Sequence, residues 1–142
     1  MRIFLDANIL FSAAHATQSP LRAFFRLAEA GMCELLASPY ALDEARRNIA
    51  RKYPAKTADL EQLIAQIAVC REAGAEELRW ACSTGLADKD TPILAAAAQA
   101  KADFLVTGDR ADFGGLYERN LRGVKVLPPR TALERILAAV RK

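Results

Sequence analysis

Five of the chain's 17 acidic residues fall in residues 85–113, GLADKDTPILAAAAQAKADFLVTGDRADF: Asp88, Asp90, Asp103, Asp109 and Asp112, in a stretch that is otherwise strongly apolar. Asp6 closes the apolar run RIFL (2–5), and Glu44 lies within ASPYALDEARRNIARK. Two unit charges 4 Å apart repel by ~4 kcal/mol at an effective dielectric of 20. Gathered carboxylates are tolerated when some are protonated or when a divalent cation lies among them. Oxygen donors without histidine or thiolate suit Mg²⁺ or Mn²⁺. With coordination positions left open, such a site holds a phosphodiester and activates water for in-line attack.

Other chemistry has little to work with. His15 is the only histidine and stands in a loop-like stretch before the first expected helix, which excludes zinc sites built on several histidines. No GxSxG elbow accompanies it, and neither a P-loop nor GxGxxG occurs. Cys33, Cys70 and Cys82 are odd in number, lack a CxxC pair and have apolar neighbours, the pattern of buried free thiols in a reducing compartment. Each acid taken singly has an ordinary reading. Asp6 suits a strand-end turn, Glu44 a solvated helix face, Asp88 or Asp90 a helix cap, and Asp109 and Asp112 a loop around Gly108. Those readings do not explain why the acids gather.

The elements that must position them alternate between strand and helix. RIFL is a strand buried on both faces, SPLRAFFRLAEAG a helix stopped at Gly31, and CELLAS (33–38) a second strand. Ser38-Pro39 reads as an N-cap followed by proline at the first helical position. DLEQLIAQIAVCREAG reads as one amphipathic helix closed by Gly74, EELRWA as a third strand, and Thr91 to Lys101 as an alanine-rich central helix. DFLVT (103–107) and VKVL (124–127) complete five strands, and TALERILAAVRK is a final helix with Thr131 and Glu134 spaced as a capping box. Such alternation predicts an α/β fold with a parallel sheet covered on both faces, whose functional crevice lies beyond the carboxyl ends of the strands. Asp6 and Asp109 then stand at that edge, Asp90 at the start of the alanine-rich helix, and Glu44 about a turn and a half into the helix after the second strand.

With 142 residues, 52% hydrophobic and 7% aromatic, the chain is expected to form one domain, 1–142, with an aliphatic core. A net charge of +3 tolerates a polyanionic partner without requiring one. Asp6 and Asn8 interrupt what would be the apolar region of a signal peptide, and no run reaches membrane-spanning length, so a cytoplasmic protein is expected. Arg47, Arg51 and Arg110 are candidates to guide phosphates toward the metal. Phe24, Phe25 and the LIAQIAVC segment are a candidate apolar patch for a homodimer or another partner.

FLDANIL, ASPYALDEARRNIARK, DKDTPILAAAAQAKADFLVTGDRADF and VKVLPPRTALERIL, in that order over nearly the whole chain, resemble the blocks of PIN-domain proteins. The likeness is greatest to VapC-like bacterial and archaeal toxins of toxin–antitoxin systems. The resemblance implies a three-layer α/β/α fold with a five-stranded parallel sheet, Mg²⁺- or Mn²⁺-dependent endoribonuclease activity and an antitoxin partner. By motif position it implies Asp6, Glu44, Asp90 and Asp109 as the catalytic quartet, with Asp6, Asp90 and Asp109 on the metal. Asp112 sits where some relatives carry a further acid, and Asn8, Ser38 and Thr107 are supporting polar groups. Two rival readings are a catalytically silent RNA- or protein-binding module and a haloacid-dehalogenase-like phosphatase. The phosphatase expects a second Asp where this chain has Asn8.

Overall fold

Ile3, Phe4 and Leu5 are consecutive, and successive strand side chains point to opposite faces. All three are 0% exposed, so the strand that holds them is covered on both sides. A computed structural model describes residues 1–141. It forms one sheet of six strands: β1 (Arg2–Leu5), β2 (Glu34–Ala37), β3 (Ala68–Val69), β4 (Phe104–Val106), β5 (Asn120–Leu121) and β6 (Val124–Leu127). Their order is β3-β2-β1-β4-β6-β5, and every pairing is parallel except β5 with β6.

Eight helices surround the sheet: α1 (Ala7–His15), α2 (Ala23–Glu29), α3 (Pro39–Lys52), α4 (Thr57–Ile64), α5 (Ala75–Cys82), α6 (Thr91–Gln99), α7 (Arg110–Phe113) and α8 (Pro129–Val140). Helices α1, α3 and α4 pack together, and α5 packs on α6. Five consecutive residues of α6, Ile93 to Ala97, are buried, which requires neighbours all round the helix. Alanine at three of those positions lets the neighbours come close. Gly31, at φ +78°, ends α2: its N–H and that of Met32 return to the carbonyls of Ala28 and Leu27, a turn that favours glycine.

From β1 the chain runs outward to β2 and β3, then returns to the other side of β1 for β4 and β6. The direction reverses between β1 and β4, and in open parallel sheets the crevice at such a reversal is where ligands bind. Leu5 pairs with Val106 and Val106 with Leu127, so the residues following β1 and β4 emerge side by side.

Several expected elements differ. The five-stranded sheet has six strands, and EELRWA lies within a helix, α5. Gly74 is its N-cap, with Glu76 and Glu77 in the first turn and Arg79 in the last, the charge order that a helix dipole favours. The long helix expected after residue 59 stops at Ile64, because Ala68 and Val69 pair instead with the open edge of β2 at Leu36 and Ala37. The sixth strand comes from a tight hairpin: Arg122 and Gly123 both have positive φ, as a two-residue turn between twisted strands requires. His15 is not in a loop but ends α1, whose buried Ile9, Leu10, Ala13 and Ala14 have helical spacing. The Thr131–Glu134 capping box does not form, since Pro129 starts α8 earlier and Glu134 pairs with Arg130 at 3.3 Å. Of the candidate apolar patch, Phe24, Phe25, Leu63, Ile64 and Ile67 are buried in the core, while Val69 is exposed. Cys82 is exposed at the end of α5 rather than buried, and Cys33 and Cys70 are half-buried. No helix among the described residues is long and apolar enough to cross a membrane.

The close packing of α6 has a measurable consequence. Ala96→Leu is expected to lower the unfolding free energy by about 1–3 kcal/mol, read as a lower urea midpoint at unchanged slope. An unaltered midpoint would mean that α6 has room the structure does not show.

Candidate functional site

Asp6 leaves β1 at the reversal point with both carboxylate oxygens engaged. Oδ1 accepts from the Ala7 N–H at 2.7 Å, capping α1, and Oδ2 accepts from Thr107 Oγ1 at 2.8 Å and Asn8 Nδ2 at 3.1 Å. Asn8 also spans to the loop after β4, where its Oδ1 accepts from the Gly108 N–H at 3.0 Å. Thr107 is fully buried, and its hydroxyl oxygen accepts from the Asp109 N–H at 3.2 Å. One polar bracket thus ties the ends of the two central strands together. Asp6 is 4% exposed, and burial pushes its carboxyl from 3.8 to about 6, with Glu44 and Asp109 adding to the rise against the lowering bonds from Thr107 and Ala7.

Asp109 caps the short α7, its Oδ1 accepting from the Asp112 N–H at 3.1 Å. Asp90 occupies the N-cap position of α6, but its side chain makes no capping bond and turns to other partners. Carboxylate oxygens of Asp90, Asp109 and Asp112 lie within 4.8 Å of one another. Burial raises Asp90 to about 6, opposed by the bond and charge of Lys89. The Lys89 ammonium lies 3.1 Å from Asp90 Oδ2 and also binds Asp112 Oδ2, holding the Asp112 carboxyl below its usual range. The Asp112 bond in turn raises the Lys89 pKa.

These groups open onto a cleft of about 300 Å³ whose acidic lining is Asp6, Glu44, Asp90 and Asp109. Four separate elements supply them. Glu44 comes from α3, whose start is fixed by the buried Ser38: its Oγ accepts from the Ala41 N–H at 3.3 Å. The cap is the role Ser38 plays, and it does not line the cleft. Asp112 stands beside the cleft through Asp90 and Asp109. Asp88 offers its carbonyl to Thr91 Oγ1 at 3.0 Å, and Asp103 binds the Arg2 N–H at the opposite end of the sheet. Neither lines the cleft.

Arg47, Arg51 and Arg110 do not line it either. The face of α3 turned to the acids carries Asn48 and Lys52, four and eight residues beyond Glu44, a row that helical geometry keeps aligned. Sequence spacing contained that signal. It contained none for Tyr40, whose hydroxyl donates to the Lys89 carbonyl at 2.7 Å, or Tyr117, whose hydroxyl donates to the Thr107 carbonyl at 2.8 Å. The two tyrosines hold the loops that carry Asp90 and Asp109.

The donor set fits a hard divalent cation. It is made of carboxylate oxygens, two of its members are destabilised as anions by burial, and a primary ammonium already bridges two of them.

A family described as PIN domain matches residues 2–111. No curated protein sequence matches the chain. Among solved structures, VapBC2 of Rickettsia felis, bound to a DNA fragment from its promoter, is 16% identical over 90% of this chain and 98% of its own, with a TM-score of 0.67. The PAE2754 protein of Pyrobaculum aerophilum is 18% identical over 97% and 96%, with a TM-score of 0.69. VapC20 of Mycobacterium tuberculosis, a sarcin–ricin-loop-cleaving toxin, is 14% identical over 75% and 91%, with a TM-score of 0.53. At these identities the likeness is one of fold.

The raised acids make the stability of the metal-free protein fall with pH. Between the ordinary carboxyl value of 3.8 and about 6, the folded chain holds protons at Asp6 and Asp90 that the unfolded chain has released. Stability therefore declines as pH rises through that window, and the penalty is complete above it. Glu61 and Asp112, whose values are lowered, act at the acid end of the window and below it. In EDTA the urea midpoint is expected to fall from pH 5 to pH 7, Asp6 contributing on the order of 1–3 kcal/mol. Mg²⁺ should restore it at pH 7 more than at pH 5. A midpoint that climbs over this range in EDTA would contradict the assignment.

Proposed function

This chain belongs to the PIN-domain family, and from that premise we propose that it is a Mg²⁺- or Mn²⁺-dependent endoribonuclease, the toxin of a toxin–antitoxin pair. The observation that carries the reading is the arrival of Asp6, Glu44, Asp90 and Asp109 from four elements at one cleft beside the sheet's reversal point. Bound there, the ion would lower the pKa of a water and neutralise charge that develops on the phosphate. Asp6, Asp90 and Asp109 would hold it, with Asp112 as a further oxygen donor. Thr107 and Asn8 fix the angle at which the Asp6 carboxylate is presented. Glu44 stands half-exposed on another helix, so it is the acid placed to accept a hydrogen bond from the attacking water. Lys89, bound to Asp90 and Asp112, would compete with the ion for these carboxylates. A cleft of this size suits one strand, or an exposed loop of a folded RNA, better than a duplex. Fold similarity to VapBC2 supports an antitoxin as partner.

The rival reading is a silent binding module, and Lys89 in the cation position favours it. Cleavage of single-stranded RNA with Mn²⁺ or with EDTA separates the two. We expect hydrolysis only with the metal, lowered at least about a hundredfold by Asp6→Asn, Asp90→Asn or Asp109→Asn. Binding of the RNA without hydrolysis selects the binding module, and hydrolysis that persists in EDTA overturns the metal-dependent reading.

Lys89 has its own test. It is largely exposed, so its ion pairs are worth little, and Lys89→Met is expected to tighten Mn²⁺ binding severalfold, up to about tenfold. Electron paramagnetic resonance of free Mn²⁺ reads this without any turnover. Weaker binding in the variant would show that Lys89 supports the site rather than competing for it.

A further inference from the structure

The acidic cleft repels the polyanion it is proposed to hold. Two cationic side chains line it, Lys52 and Lys89, and Lys89 is tied to Asp90 and Asp112. Affinity for a nucleic-acid strand must then draw on something other than charge. Three aromatic rings continue the cleft at one end. Phe11 lines it, with its ring centroid 6.1 Å from His15 and 5.8 Å from Tyr53, and His15 and Tyr53 lie 3.9 Å apart. Lys52 Nζ stands 5.5 Å over the Phe11 ring.

Tyr53 is 39% exposed and lies against Phe11 and His15, which are half-buried, so it is the most exposed ring of the cluster. The cluster sits where α1 and α3 end, and those helices already carry Asn8 and Glu44. From Glu44 to Lys52 the helix advances about 12 Å, which puts the rings beside a nucleotide flanking the phosphate at the acids, not at that phosphate.

We propose that Tyr53, supported by His15 and Phe11, is a stacking platform for an unpaired nucleobase flanking the scissile phosphate, with Lys52 contacting the intervening backbone. Stacking is sequence-tolerant because every base has a π-face, and Tyr and His rings are common platforms for unstacked RNA bases. This deepens the nuclease reading and rests on it. It assigns a second source of affinity to a cleft whose charge works against binding.

The test is steady-state cleavage of a short single-stranded RNA in Mn²⁺, paired with direct binding of the same RNA. Tyr53→Ala and Tyr53→Leu are expected to raise KM about tenfold and leave kcat within about twofold, while Tyr53→Phe stays near wild type. Mn²⁺ affinity should be unchanged in all three, and circular dichroism melts report whether each is folded. Abasic nucleotides flanking the cleavage site should raise the wild-type KM and leave that of Tyr53→Ala unaffected. Lys52→Ala should make the logarithmic salt dependence of binding shallower by about 0.7. If the wild type cleaves and all the Tyr53 variants match it in KM, the platform is overturned and the nuclease stands. If the wild type binds RNA through Tyr53 without cleaving, the nuclease falls and the platform stands. If it neither binds nor cleaves, both fall.

Discussion

Everything at this site depends on a carboxylate buried at the middle of the sheet. Asp6 sits where β1 meets β4, 4% exposed, among strands whose side chains are apolar on both faces. A charge there costs free energy unless it is compensated, and three hydrogen bonds, from Ala7, Thr107 and Asn8, compensate it only in part. The remaining cost appears as a carboxyl pushed up to about 6. A fold selected for stability alone would place an amide or an apolar residue here. Retaining the acid leaves a costly buried carboxylate at the lining of the cleft.

The second half of the site is built differently. Asp90, Asp109 and Asp112 belong to helix starts and a short loop, and their charge is balanced by Lys89 from the residue next to Asp90. The ammonium is largely exposed, whereas the Thr107–Asn8 bracket around Asp6 is buried or half-buried. The site therefore has a rigid side set by strand registry and an adjustable side set by an ion pair. Tyr40 and Tyr117 limit how far the adjustable side can move, since each anchors one loop through a carbonyl.

Much of this was legible in the sequence because it follows from strand ends. A strand buried on both faces must be a continuous apolar run, so Asp6 and Thr107 announce where β1 and β4 stop. Ser38-Pro39 specified the start of α3 for the same local reason, and the cap forms as expected. The differences have both local and non-local causes. EELRWA has no periodicity strong enough to separate strand from helix, and its end charges decide the matter. β3 exists because β2 has an open edge, which residues 68 and 69 do not encode by themselves. Arg47 and Arg51 lie one and two turns beyond Glu44 on roughly its face, but the row lining the cleft is Glu44, Asn48 and Lys52. Lys89 adjoins Asp90 in sequence, but only the folded loop brings it to Asp112 as well.

The two halves also explain why α1 is where it is. Asp6 caps α1 with one oxygen while its other oxygen is held by Thr107 and Asn8, so the helix starts at the acid and leaves along a fixed direction. Phe11 and His15 then fall one and two turns along that helix, and α3, packed on α1, ends with Lys52 and Tyr53 at the same place. The position of the aromatic cluster relative to the acids is thus tied to helix ends, Tyr53 following α3 with its N–H bonded to the Ile49 carbonyl at 2.8 Å. It is set by two packed helices, each of which begins at the carboxyl edge of the sheet. A substitution that loosened the Asp6 bracket would disturb a carboxylate and also the angle of α1, and with it the spacing between the acids and the rings.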